Sequence, residues 1–231
     1  MKIGGLQKLT LLDYPGKVAC TVFTLGCNLR CPFCHNAPLV THISDTPTMA
    51  EEEFFSFLKK RQGILDGVTV SGGEPTLMRD LYDFIAKIKE LGFAVKLDTN
   101  GTDPDTVEKL INNKMIDYVA MDIKNSIEKY ALTSGLDKDY DISKIKYTAN
   151  MLMTGDIDFE FRTTLVSPYH TPEDFESIGQ WLCGDEKFYL QAFVDSGDLV
   201  GTGVRGILHK DAVECLNKLL PYVKNAQLRG Y

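Results

Sequence analysis

At 231 residues with 44% hydrophobic composition, the chain carries enough apolar content to bury a full core as one domain. A formal net charge of −7 argues against non-specific binding to nucleic acid or to a membrane surface, and no apolar run approaches the roughly 18 residues that cross a bilayer. Six cysteines are too few for a secreted disulfide framework and no signal peptide opens the sequence, so a reducing cytoplasmic setting is expected.

Apolar, β-rich runs alternate with helical patterns six times, which predicts a parallel sheet with a helix between successive strands. Residues 1–17 read as an N-terminal hairpin or extension. The first of the six strands, Val18 to Leu25, runs straight into a loop holding Cys27, Cys31 and Cys34. Thr48 and Glu51 then predict a capping box for a helix with Phe54, Phe55 and Leu58. The second strand, Val68 to Val70, leads into Ser71-Gly72-Gly73-Glu74-Pro75, and Leu81, Phe84, Ile85, Ile88 and Leu91 mark a helix that stops at Gly92. The third strand, Phe93 to Leu97, is followed by Asp98-Thr99-Asn100-Gly101, and Asp103-Pro104 opens a short helix.

The fourth strand, Tyr118 to Ile123, ends in Asp122-Ile123-Lys124, and a helix runs through Ile145, Ala149 and Leu152. Arg162 lies on the fifth strand, about Phe159 to Val166, after which Thr171-Pro172 starts a helix with Phe175, Ile178 and Trp181. Gln191 lies on the sixth strand, Phe188 to Val194, and the last helix holds Val213, Leu216 and Leu220. Six βα units over residues 18–194 and a C-terminal loop and helix over 195–231 read as a single domain. Within it, Asp195 to Gly206 is the segment expected to be most flexible, with four glycines and few apolar anchors. Six units are too few to close an eight-stranded barrel, so the expected fold is α/β, a partial (β/α)6 TIM-like barrel open on one side.

Active sites in such folds lie beyond the C-terminal ends of parallel strands, where the cysteine loop also falls. The spacing Cys27-x-x-x-Cys31-x-x-Cys34 supplies three thiolates where a cubic iron-sulfur cluster normally takes four. A structural zinc site is the alternative, closed by His35 or His42. His35 adjoins Cys34, however, and two adjacent side chains chelate one tetrahedral ion only with strain. Gly72-Gly73 before Glu74-Pro75 can be read as a plain turn, Asp98 as the start of an Asx-turn and Lys124 as a solvated side chain.

Taken together, the cysteine spacing with Phe33 before the last cysteine, the Gly72-Gly73-Glu74 turn, Asp98-Thr99 and Asp122-x-Lys124 resemble the radical S-adenosylmethionine enzymes. The resemblance implies one 4Fe-4S cluster on Cys27, Cys31 and Cys34. It also implies S-adenosylmethionine held among Phe33, Gly72, Gly73, Glu74, Asp98, Thr99, Asp122, Lys124, Arg162 and Gln191, with the aspartates as holders of a monovalent cation. Cys34-His35-Asn36, the Asp98-Thr99-Asn100-Gly101 turn and Asp13-Tyr14-Pro15-Gly16 narrow it to activases that take hydrogen from a glycine of a partner glycyl radical enzyme. The opening from Gly4 to Lys17 most resembles activating proteins for anaerobic ribonucleoside-triphosphate reductase. Only 36 residues, none a cysteine, separate Cys34 from Ser71, so the ferredoxin-like insert of many activases is absent. A flavodoxin- or ferredoxin-type donor would supply the electron, under low oxygen.

Asp13 is a candidate for positioning the partner's glycine, or equally a residue of a hairpin turn. The alternatives are a radical enzyme acting on a small molecule, as in deazapurine synthesis, and a non-enzymatic metal-binding module. Cys20, Cys183 and Cys215 read as small apolar residues, Phe54, Phe55 and Phe57 as core, and His170 and His209 as caps or solvent-exposed groups near helix starts.

Overall fold

The computed structural model describes residues 1–185 and 187–231. They form two compact units, Met1–Asn28 with Pro38–Ala120 and Leu29–Ala37 with Met121–Tyr231. The fold is α/β, and its mostly parallel sheet is not closed, as expected.

In the first unit, β1 (Ile3–Thr10) pairs antiparallel with β2 (Ala19–Thr24), and β3 (Gly67–Gly72) and β4 (Ala94–Thr99) follow in parallel. The short α1 (Ala37–Val40) comes after the cysteine loop; α2 (Glu51–Lys59), α3 (Leu81–Glu90) and α4 (Pro104–Asn112) connect the strands. Burial of both faces accounts for the continuous apolar runs of these strands: Val22, Val68, Val70, Val95 and Leu97 are all solvent-inaccessible. Phe54 of α2 stacks on Phe84 of α3 with ring centroids 5.2 Å apart and is core as expected, whereas Phe55 and Phe57 are only half-buried. The predicted capping box does not form. Met49 donates its backbone N–H to the Ile3 carbonyl at 2.9 Å, which keeps Thr48-Met49 extended and makes Ala50 the residue before α2. Glu51 instead pairs with Lys87 at 2.7 Å.

β5 (Tyr118–Asp122) begins in the first unit and ends in the second. The second unit continues with α5 (Tyr130–Ser134), α6 (Ser143–Thr154), β6 (Asp158–Ser167), α7 (Pro172–Trp181), β7 (Phe188–Ala192), β8 (Arg205–Gly206), α8 (His209–Leu219) and β9 (Gln227–Arg229). β7 lies parallel between β6 and β9, and β8 pairs antiparallel with the end of β6. Thr171 and Asp174 form the capping box of α7 behind the expected Thr-Pro start. The buried face of α8 is Ala212, Cys215 and Leu219, one residue out of phase with the predicted Val213, Leu216 and Leu220. The segment from Asp195 to Gly206 is tied down at two points: Gly201 donates to the Pro32 carbonyl at 2.8 Å, and Arg205–Gly206 pairs with Val166 and Ser167.

Candidate active site

In the first unit the loops after β2, β3 and β4 interlock through backbone. Gly73 donates to the Thr24 carbonyl at 3.0 Å and Glu74 to the Gly26 carbonyl at 2.8 Å. A Cβ on Gly72 would lie 2.2 Å from the Thr24 nitrogen, and one on Gly73 would lie 2.0 Å from the Gly26 oxygen. Gly72 also adopts φ 124°, a region that L side chains rarely enter. The paired glycines are therefore required by close packing against the chain's own cysteine loop.

Glu74 is almost wholly buried, and its carboxylate accepts four hydrogen bonds. Oε1 receives the Thr76 N–H at 3.1 Å and the Thr76 and Thr99 hydroxyls at 2.7 and 2.8 Å, while Oε2 receives the Asn100 N–H at 2.7 Å. Burial pushes its carboxyl pKa up, against the donors that favour the anion. The side chain thus splints the β3 and β4 loops together, and Thr99 is committed to the same splint. Asn100 extends it: Nδ2 donates to Asn28 Oδ1 at 2.9 Å and lies 3.9 Å from Cys27 Sγ, and Oδ1 accepts from the Thr102 N–H and hydroxyl at 3.0 and 2.7 Å. A donor aimed at sulfur favours the thiolate form that binds iron.

Asp98 faces Lys96, two residues back on β4. The Lys96 ammonium is buried, and it donates to Asp98 Oδ1. Asp13 lies at the other end of the unit. The turn it occupies precedes β2, whereas the cysteine loop follows β2, and its carboxylate accepts the Thr21 hydroxyl at 2.5 Å. Asp13 accordingly lies in the turn between β1 and β2.

In the second unit, Asp122 at the end of β5 is gripped by two cations. Oδ1 accepts from Arg162 Nε and Nη2, both at 3.0 Å, and Oδ2 accepts from Lys124 Nζ at 3.0 Å. Burial alone would raise the Asp122 pKa, but Arg162 and Lys124 outweigh it and bring it down to about 2 from the ordinary 3.8. Burial likewise works against the Lys124 charge, and Asp122 and the Cys31 sulfur together hold its pKa above the ordinary lysine value. Register settles the facing of Gln191. It pairs with Thr164 in a parallel ladder, so it shares a face with Thr164 and with Arg162 two residues earlier. Arg229 of β9, a strand too short to be legible, pairs with buried Glu160 at 3.3 Å and lies over the Tyr189 ring.

The second half of the cysteine loop is moored to this unit. Arg30 donates to the Ser134 carbonyl at 2.9 Å, Cys34 donates to the Cys31 carbonyl at 3.0 Å, and Phe33 packs in a buried site against Tyr169 and His170. His170, expected as a cap or a solvent-exposed group, is buried. Its Nδ1 accepts the Val166 N–H at 3.1 Å, which leaves Nε2–H to donate to the Lys124 carbonyl at 2.8 Å. Burial lowers its pKa, so the ring is a neutral strut between Phe33 and Lys124. His209 stays exposed, Cys20 and Cys215 are buried, and Cys183 is exposed, contrary to expectation.

None of the three loop cysteines is in a disulfide. Among the described residues no three His, Cys, Asp or Glu side chains gather around one point as a single-ion site requires. A four-iron cluster makes no such demand, because each thiolate binds a different iron. An amide donor beside Cys27 and an ammonium near Cys31 fit thiolate ligands of that kind.

A model of the radical S-adenosylmethionine superfamily matches residues 21–182. A Methanocaldococcus jannaschii protein described as a glycyl-radical enzyme activating enzyme is 34% identical over 98% of this chain and 88% of its own. The chain belongs to the radical S-adenosylmethionine superfamily, among the glycyl-radical enzyme activating enzymes. The pyruvate formate-lyase-activating enzyme of Listeria monocytogenes is 33% identical, over 53% of each chain. A radical S-adenosylmethionine methyltransferase from Sphaerobacter thermophilus shares the fold, with a TM-score of 0.73 and 14% identity over 96% of this chain and 68% of its own. No helix among the described residues is long and apolar enough to cross a membrane.

Proposed function

We propose that this chain is the activase of an anaerobic ribonucleoside-triphosphate reductase, working in a reducing, low-oxygen cytoplasm with a flavodoxin- or ferredoxin-type electron donor. Cys27, Cys31 and Cys34 hold one 4Fe-4S cluster in this reading, and both units serve as one catalytic domain, consistent with a family match that runs across them. When bound and reduced, such a cluster would supply the electron for reductive cleavage of S-adenosylmethionine, the chemistry by which hydrogen would be taken from a glycine of the partner.

The observation that carries the reading is the interlock of the Gly72-Gly73-Glu74 turn with the start of the cysteine loop. It fixes the backbone proposed to receive the amino group of S-adenosylmethionine relative to the first cluster ligand. Glu74 contributes by holding that backbone, since its own oxygens are filled by chain donors. Lys124 offers a cation to the cofactor's carboxylate while Asp122 and His170 fix its position. In this reading Asp98 accepts from ribose hydroxyls, and Phe33, Arg162 and Gln191 supply further contacts. The opening from Gly4 to Lys17 supports the choice of reductase over pyruvate formate-lyase.

Anaerobic incubation of the reduced, cluster-loaded protein with S-adenosylmethionine and an anaerobic ribonucleotide reductase tests this. A glycyl doublet in electron paramagnetic resonance is expected, and it should vanish in Cys31→Ala. A doublet formed only on pyruvate formate-lyase would overturn the partner assignment, and no doublet on either would overturn the activase reading.

A further inference from the structure

The family resemblance calls for a monovalent cation held by the aspartates, and the residues present do not fit one. In the first unit the Asp98 carboxylate already faces the Lys96 ammonium, whose side chain is 1% exposed. A lysine so enclosed keeps its charge only beside an anion, and Asp98 two residues along the strand is that anion. In the second unit both Asp122 oxygens are occupied, one by Arg162 and the other by Lys124. A sodium or potassium ion brought to either carboxylate would sit within a few ångströms of a fixed positive charge in a region poorly screened by water.

We propose that Lys96 is a built-in counter-ion for Asp98, a positioning residue that makes the S-adenosylmethionine site of this chain independent of monovalent cations. The inference rests on the assignment of S-adenosylmethionine to this site. Its chemical basis is substitution of one cation by another: the buried ammonium neutralises Asp98 where an ion would otherwise be needed. Because the lysine is part of β4, no separate ion has to be captured or ordered before the ligand binds.

The test compares buffers of equal ionic strength containing potassium, sodium or a bulky organic cation. Wild-type protein loaded with its cluster should bind S-adenosylmethionine with an affinity that changes by less than about twofold among them. Its melting temperature without S-adenosylmethionine should also be the same in all three. Lys96→Met removes the ammonium and keeps an apolar stem of similar length, so it should bind more weakly in the organic cation and recover about tenfold in potassium. A wild-type affinity that rises about tenfold with potassium would overturn the inference, as would a Lys96→Met variant that folds but shows no potassium response. If Lys96→Met does not fold, the wild-type comparison decides alone. Absence of S-adenosylmethionine binding in every buffer would instead overturn the assignment on which the inference rests.

Discussion

In the first unit the β3 and β4 loops are tied by neutral donors around one buried carboxylate, whereas in the second unit the end of β5 is held by charges. Glu74 collects two backbone N–H groups and two hydroxyls, and nothing in that set carries a positive charge. Asp122 collects a guanidinium and an ammonium. Neutral hydrogen bonds fix direction and are insensitive to salt; an ion cluster sets local potential and responds to pH. The contrast assigns geometry to the Glu74 network and electrostatics to the Asp122 cluster.

Glu74→Ala should be the most damaging way to break this contrast. It strands the Thr76 and Asn100 N–H groups and the Thr99 hydroxyl in a buried site, for an expected loss of about 4 kcal/mol at roughly 1–3 per orphaned group. Chemical denaturation would measure it, and Glu74→Gln, which keeps an acceptor, should lose about half as much.

Arg162→Ala should cost less, about 2 kcal/mol at neutral pH, because Lys124 remains on Asp122. Its signature is in the pH dependence. Asp122 titrates near 2 in the folded chain against an ordinary 3.8, so its stabilisation is complete above 3.8 and lost as pH falls through about 2. Without Arg162 the folded value rises, and denaturation midpoints should fall less steeply across that window than in the wild type. Lys218→Ala removes a surface pair with Glu176 whose side chains are 46% and 44% exposed, and should leave the denaturation midpoint essentially unchanged. A clear loss there would show that long-range charge, and not the Asp122 cluster, governs the second unit.

The six strands and the loops after them were legible because the apolar runs are long and glycine, proline or aspartate punctuates their ends. What escaped depends on partners distant in sequence. Thr48 and Glu51 have the right spacing for a capping box, but the pairing of Met49 with Ile3 overrides it. His170 looks like a helix-start residue until Val166 and Lys124 enclose its ring. β9, Gln227–Arg229, is too short to show any period. Asn100 was within reach: it adjoins two candidate residues at a strand end, and a side chain with both donor and acceptor is suited to bridging loops. Lys96 was visible as a charge inside an apolar run, where only a buried partner could explain it.

The contact of Gly73 with Gly26 has a consequence for engineering. Since neither backbone can move without the other, the cysteine loop and the turn after β3 behave as one part. A cysteine loop grafted from a relative would need its matching turn grafted with it, and libraries that vary one loop alone would return mostly misassembled chains.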